Sequence, residues 1–139
     1  MEVINSKDYV DKAEAVITQL ISEAKEFQAK KNPRRPNDYQ ILTTSQIRKQ
    51  LSMTAELFSQ AEGDPSDKLS TEITEKIEYL RVQFTYQAGR EPLVKKFVEK
   101  AGILKILKSI NGNKEDFLTF CRYMEALVAF RKYHGEKDS

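Results

Sequence analysis

Apolar residues recur at intervals of three and four along almost the whole chain, and this spacing constrains the fold more than any other feature. In residues 7–29 the repeat consists of Val10, Ala13, Ile17, Leu20, Ile21, Ala24 and Phe27. Such spacing gives an α-helix one apolar face, whereas a half-buried strand alternates at every second residue. No segment alternates in that way. The periodicity therefore predicts an all-α fold.

Two prolines mark the end of the first helix and lie within a basic segment. They lie in KKNPRRPND at 30–38, and a proline ring blocks helix continuation. We therefore expect a helix over 7–29 and a flexible basic linker over 30–42. Thr43 is followed three residues later by Gln46, which is the pattern of a capping box, so the next helix is expected to begin there.

Glycine, proline and asparagine mark the later helix boundaries. Gly89 suits a helix C-terminus, Pro92 a first helical position and Asn113 the cap of a final helix. The sequence therefore predicts a compact bundle of five to six helices. Because 139 residues is the length of one domain, we expect a single helical domain over 1–139 with its helical core at 43–135.

The composition indicates the compartment. Hydrophobic residues make up 40% of the chain and charged residues 32%, and no apolar run approaches the roughly 18 residues that span a bilayer. The N-terminal segment MEVINSKDYV lacks a basic stretch followed by an apolar one, so we expect no secretory signal. A single cysteine, Cys121, excludes an internal disulfide. We therefore expect a cytoplasmic protein with no membrane partner.

Charge is unevenly distributed along the chain, although the net charge is only +2. Residues 30–49 hold six Lys or Arg and one Asp, which gives +5, whereas residues 50–80 hold two Lys and seven acids, which gives −5. Such blocks produce a local field that the total conceals. The basic block is typical of a surface for an anionic partner, and it is equally compatible with solvated helix faces.

The segment RVQFTYQAGR at 81–90 belongs to a helix with two different faces. At about 100° per residue, Tyr79, Gln83, Tyr86 and Arg90 point in one direction, away from the apolar line. Tyrosine can stack on bases, glutamine can bond base edges or riboses, and arginine can pair with phosphate, so this mixture suits a flat, polar, anionic partner. The alternative is structural, because tyrosine and glutamine also close gaps between helices at the margin of a core.

Basic residues elsewhere could supply phosphate contacts. They lie in the linker, on the second helix away from its apolar side, and on the short helix after Arg90. The set comprises Lys30, Lys31, Arg34, Arg35, Arg48, Lys49, Lys95, Lys96 and Lys100. Together, these ammonium and guanidinium groups can supply several phosphate contacts.

The last helix carries a line of small residues. Arg122, Ala126, Ala129 and Tyr133 share a direction away from the apolar residues of this helix. Small residues flanked by arginine and tyrosine allow close approach by another chain, so Ala126, Ala129 and Tyr133 are predicted subunit contacts. The alternative is helix propensity alone, because alanine is the best helix former.

Residues suited to catalysis are scarce. The only histidine is His134, and Cys121 falls on an apolar face where a structural thiol is expected. One histidine and one cysteine form neither a catalytic triad nor a zinc site. The acids Glu72, Glu75 and Glu78 are spaced like a solvated helix face rather than a metal site. We therefore predict no enzymatic activity, no catalytic residue, no metal and no cofactor.

Three segments resemble a known family. LTTSQIRKQL at 42–51, KIEYLRVQFTYQAGR at 76–90 and FLTFCRYMEALVAFRKYHG at 117–135 are similar to the small subunit of the type III-A CRISPR interference complex, the Csm complex. The order and spacing match along nearly the whole chain after the linker. The most specific parts are the YQAGR end of the long helix and the MEALVAF centre of the last one.

The resemblance implies a non-catalytic, all-helical subunit that assembles in several copies as an inner filament of the effector complex. Its partners would be guide RNA, target RNA, the backbone and large subunits, and other copies of itself. Because the filament must accept any guide, the RNA contacts are expected at the backbone rather than at base edges. The residues expected to make them are Arg48, Lys49, Tyr86, Gln87, Arg90, Lys95, Lys96 and Arg122, with possible additional contacts from Lys30, Lys31, Arg34 and Arg35. The alternative is a purely structural helical adaptor.

Overall fold

The computed structural model describes residues 4–135, and within them it contains six α-helices and no strand. The all-α prediction is therefore confirmed. In chain order the helices are α1 (Tyr9–Lys31), α2 (Thr44–Glu62), α3 (Thr71–Arg90), α4 (Pro92–Ala101), α5 (Ile103–Ile110) and α6 (Lys114–His134).

Helix α6 forms the centre of the bundle. It lies against α1, α2 and α5, whereas α3 lies against α2, α4 and α5. The first half of α6 has almost no solvent face, because the consecutive residues 117–121 are all buried. This explains why a helix so rich in Phe, Leu and Met shows little division into apolar and polar sides.

The expected caps are present. The backbone N–H of Gln46 donates to Thr43 Oγ1 at 3.0 Å, and the backbone N–H of Thr43 donates to Gln46 Oε1 at 2.8 Å, so the capping box of α2 is complete. Asn113 Oδ1 accepts from the backbone N–H of Asp116 at 2.9 Å, and Pro92 occupies the first turn of α4. These local contacts favour the starts of α2, α4 and α6.

Helix α1 differs from its predicted extent. It continues to Lys31, so Lys30 and Lys31 belong to the helix and not to the linker. Asn32 then leaves the helical region with φ −149° and ψ 87°, as expected for the residue before a proline. The apolar prediction also fails at both ends of α1, because Val10 and Phe27 are exposed, Phe27 to 62%. At the level of Phe27 the apolar side of α1 faces an open groove rather than another helix.

The apolar spacing after EGDPSD (62–67) predicts a long helix over about 68–89, and α3 is shifted relative to these bounds. Its start is delayed because the preceding residues pair with the segment before α6: the Leu69 N–H donates to the Gly112 carbonyl at 2.8 Å, and the Lys114 N–H to the Asp67 carbonyl at 3.0 Å. Its end passes Gly89, which was expected to terminate it, and the C-cap is Glu91, the residue before a proline.

The second half of the predicted linker is anchored to the bundle. Tyr39 and Leu42 are buried, and Lys25 Nζ lies 5.5 Å from the Tyr39 ring centroid. Arg131 of α6, which is only 1% exposed, donates from Nε to the Leu42 carbonyl oxygen at 3.0 Å. Residues 33–38 are exposed, so only this first half of the segment between α1 and α2 has the solvent contact expected of a linker.

A buried glutamine interrupts the apolar side of α2. Gln50 is fully buried, and among residues 4–135 neither its amide oxygen nor its amide nitrogen has a hydrogen-bond partner. Replacing Gln50 with Met, which keeps the length and removes the unsatisfied dipole, is expected to raise the free energy of unfolding by about 1–2 kcal/mol. Urea denaturation of Gln50→Met and of the exposed control Gln19→Met measures this, and a loss of stability in Gln50→Met contradicts it.

Candidate nucleic-acid interface

The start of α2 meets the junction between α3 and α4. Gln46 Nε2 donates to Glu91 Oε2 at 3.4 Å, a contact across 45 positions of sequence. The fold therefore brings Arg48 and Lys49, on the first turns of α2, to the same end of the bundle as Arg90 and Lys95. These four residues are called the basic corner.

The basic corner carries four positive charges. All four side chains are exposed, and none of them forms an ion pair with any residue in 4–135. Helices α2 and α4 both begin here and have no acidic residue in their first turns, so two helix N-termini add partial positive charge. The nearby carboxylate of Glu91 opposes this field. Four cations against one carboxylate suit a chain of phosphates.

Two residues predicted beside Arg90 have different surroundings. Tyr86 is exposed and forms an outer ridge on α3 with Tyr79 and Val82. Gln87 is half-buried, and its Oε1 is buried with no hydrogen-bond partner within residues 4–135. Tyr86 is therefore accessible to a partner, whereas the side-chain amide of Gln87 is partly buried in the protein.

The remaining residues predicted to contact phosphate differ in their surroundings. Lys31 of α1 and Lys96 of α4 line the same groove, called here the α1–α4 groove. Lys30 lies 3.4 Å from Glu26, and Arg35 lies 3.7 Å from Asp38, so these two are partly neutralised by surface ion pairs. Arg34 is exposed and lies between the prolines of the linker.

Arg122 does not join the basic corner. It is exposed on α6, next to Cys121, which lies close to Thr54 in the middle of α2. Thr54 is six residues beyond Arg48, about 9 Å along the helix axis. Arg122 is therefore a positively charged residue on a different helix, separate from the basic corner.

The line of small residues on α6 is accessible. Ala129 and Tyr133 are exposed, Tyr133 to 80%, and Ala126 is half-buried. At the end of this line His134 Nε2 lies 2.6 Å from Glu14 Oε2, which ties the end of α6 to the beginning of α1. The surface that sequence spacing predicted for subunit contact is thus open, and the histidine beside it has a structural contact.

No grouping in the described part of the chain resembles a catalytic centre. Burial raises the pKa of Cys121 to about 12, so its thiol is not an available nucleophile at neutral pH. Burial also raises the pKa of Tyr123, whose hydroxyl donates to the Ala101 carbonyl at 2.8 Å. Within residues 4–135 no three His, Cys, Asp or Glu side chains are placed to share a metal ion. None of the helices there is both long and apolar enough to cross a membrane.

Sequence reasoning missed two features of the surface and core. Phe27 was expected in the core, but it lines the α1–α4 groove. Arg131 was not singled out, yet its side chain is among the largest that are fully buried. A signal for Arg131 was present, because it follows Met124 by seven residues and so falls on the apolar line of α6.

Comparisons with known proteins give matches over most of the chain. The family model described as Csm2 Type III-A matches residues 13–137. A protein of Streptococcus thermophilus named CRISPR system Cms protein Csm2 is 44% identical over 138 residues, covering 99% of this chain and 100% of the relative. Proteins of the same name are 46% identical over 106 residues in Mycobacterium tuberculosis (76% of this chain, 85% of the relative) and 35% identical over 99 residues in Enterococcus italicus (70% and 71%).

These matches cover the three segments in which the sequence resembled the small subunit of the Csm complex, and that resemblance is confirmed. The match extends over most of the chain and includes all of α2 to α6. The chain therefore belongs to the Csm2 family, the small subunits of the type III-A CRISPR Csm complex.

Proposed function

We propose that this chain is a non-catalytic, RNA-binding small subunit that contacts the backbone of guide and target RNA within the cytoplasmic Csm complex. The observation that carries the proposal is the basic corner, where four exposed cations and two helix N-termini converge. Charges without internal partners are expensive to concentrate on a surface unless an anion occupies it. Phosphate contact also explains how one surface accepts RNA of any sequence.

Arg122 and Tyr86 extend the proposed RNA surface. Arg122 supplies a second positive point on α6, and the exposed ring of Tyr86 lies about one helical turn before Arg90 on α3. Gln87 contributes only at its accessible edge because part of its amide is buried. Lys30, Lys31, Arg34 and Arg35 are proposed as additional contacts at the far end of α1.

Several copies are proposed to line up as an inner filament beside the backbone and large subunits. The exposed line of Ala126, Ala129 and Tyr133 supports this arrangement, because small side chains let a neighbouring helix approach closely. The outer ridge of Tyr79, Val82 and Tyr86 offers a second apolar surface on another helix. Two distinct surfaces on one chain permit head-to-tail association.

The double variant Arg48→Ala/Lys49→Ala tests the proposed RNA contact. We expect weaker binding to unrelated RNA sequences by about the same factor, together with a salt dependence of affinity that is flatter by up to about two units of slope. The free energy of unfolding should change by less than about 0.5 kcal/mol, because exposed charges contribute little to stability. Fluorescence anisotropy with labelled RNA over a salt series measures the slope, both for the full chain and for the assembled complex.

The double variant Lys105→Ala/Lys108→Ala is the matched control. Both lysines are exposed on α5, outside the proposed surface, and their loss changes the net charge by the same amount. Equal weakening of RNA binding by the two double variants would show that affinity depends on the overall charge of the chain and not on the basic corner. No weakening by Arg48→Ala/Lys49→Ala would contradict the proposal and favour a structural adaptor, which the outer ridge on α3 supports.

A further inference from the structure

The α1–α4 groove is a concave, mostly apolar surface between α1, α4 and the segment that leads into α2. Leu20, Ala24 and Phe27 form one wall, Leu93 forms the other, and residues 40–42 close the end. Its volume is about 530 Å³. Clefts that hold small ligands range over roughly 300–1,000 Å³ and are mostly apolar with a few polar groups. The groove therefore has the size and lining of a site for a nucleotide-sized group.

The polar rim of the groove is positively charged. Lys31 and Lys96 lie on it without an ion-pair partner within residues 4–135, whereas Lys100 is paired with Glu23 at 2.8 Å. Glu99 is the other acid, so three lysines against two glutamates leave a charge of +1. The two lysines without partners are the ones that flank the aromatic wall.

An exposed aromatic ring lies between these charges. Phe27 is 62% exposed, and Lys96 Nζ lies 5.7 Å from the centroid of its ring. An accessible ring beside ammonium groups is the combination by which proteins hold single-stranded nucleic acid: the base stacks and the phosphate pairs with a cation. Gln40, exposed at the closed end, carries both a donor and an acceptor for a base edge.

We propose that the α1–α4 groove binds an unpaired RNA nucleotide, with its base stacked on Phe27 and the flanking phosphates on Lys31 and Lys96. The proposal rests on the RNA-binding function proposed above and adds to it a site for a base. Stacking on an aromatic ring accepts every base, so this site is compatible with RNA of any sequence.

The position of the groove supports RNA over a protein side chain as the occupant. Lys96 directly follows Lys95 of the basic corner, and residues 40–42 lead straight into α2, so the groove continues the proposed phosphate surface. A protein segment filling the groove would have to supply acids for Lys31 and Lys96. An RNA strand that extends from the basic corner into the groove carries phosphates that can pair with both lysines.

Variants of Phe27 separate stacking from simple apolar contact. Phe27→Leu keeps an apolar side chain and removes the ring, whereas Phe27→Tyr keeps the ring. We expect Phe27→Leu to bind a single-stranded oligouridylate about fivefold or more weakly than the unchanged chain, and Phe27→Tyr to bind it equally well. Binding to a fully paired RNA duplex of the same length should not change in either variant. Because Phe27 is exposed, both variants should fold, and circular dichroism checks this.

The control is Val10→Ala, which removes an exposed apolar side chain from the other end of α1 and should leave single-strand affinity unchanged. Photocrosslinking of 4-thiouridine RNA to the full chain, followed by mass spectrometry, should place the crosslink on the peptide that contains Phe27. Equal single-strand binding by the unchanged chain and Phe27→Leu would overturn the groove proposal while leaving the basic corner intact.

Two other results would also overturn the groove proposal. Absence of binding to both single-stranded and duplex RNA by the unchanged chain would remove the proposed function together with the groove site. A Phe27→Leu chain that binds RNA normally but no longer assembles with the other Csm subunits would show that a protein segment occupies the groove.

Discussion

Replacing Phe120 with alanine is expected to lower the free energy of unfolding by about 3–5 kcal/mol, the largest effect of any single change considered. Phe120 is fully buried at the centre of α6. Its ring meets Phe84 of α3 edge-on at a centroid distance of 6.3 Å and stacks with Phe117 at 6.2 Å. Truncation removes these contacts and leaves a cavity that the surrounding helices cannot fully close. Because domains are stable by only about 5–15 kcal/mol, this loss is a large part of the total.

The matched control is Tyr133→Ala on the same helix, because this aromatic residue is 80% exposed. Its effect on stability should stay within about 0.5 kcal/mol. Urea denaturation followed by circular dichroism compares the two variants. Similar losses for Phe120→Ala and Tyr133→Ala would show that the ring cluster is not the centre of the bundle.

Replacing Arg131 with alanine is expected to cost about 2–4 kcal/mol. The change removes the hydrogen bond from Arg131 Nε to the Leu42 carbonyl and the packing of a long buried side chain. The carbonyl is then left without its charged donor. The site also constrains the end of α6, since a Cβ added to Gly135 would collide with the Arg131 guanidinium. For a chain of this length the loss corresponds to a fall in melting temperature of about 10 °C.

Two further variants give this prediction its controls. Arg122→Ala removes an exposed arginine from the same helix and should leave the melting temperature nearly unchanged. Arg131→Lys retains the charge but lacks the planar guanidinium, so most of the loss should remain. Thermal unfolding in which Arg131→Ala and Arg122→Ala behave alike would contradict the structural role.

The anchoring of Leu42 links stability to the proposed RNA surface. Residues 40–42 close the α1–α4 groove and lead into the capping box that starts α2. The Arg131 side chain donates a hydrogen bond to the carbonyl of Leu42, the last of these residues. Arg131 therefore positions the groove and the basic corner without contacting a ligand. We expect its loss to weaken both surfaces together.

The sequence by itself determined the local features of this protein. It indicated the helical class and the caps at Thr43 and Asn113, because each depends on residues three or four positions apart. It also identified the family, through segments whose order and spacing match most of the chain. Helix ends were less well determined at 31 and 71, where the residue before a proline and a pairing with the distant segment 112–114 set the boundary.

Only the tertiary structure decided which side chains are covered. Phe27 and Leu20 lie on the same side of α1, yet a neighbouring element covers Leu20 and none covers Phe27. Arg131 is buried and Arg122 is exposed on one helix, because the segment ending at Leu42 crosses over Arg131. The basic corner also arises only when α2 meets the α3–α4 junction. Helix formation is a short-range property of the chain, whereas burial and the convergence of charges depend on how distant helices pack.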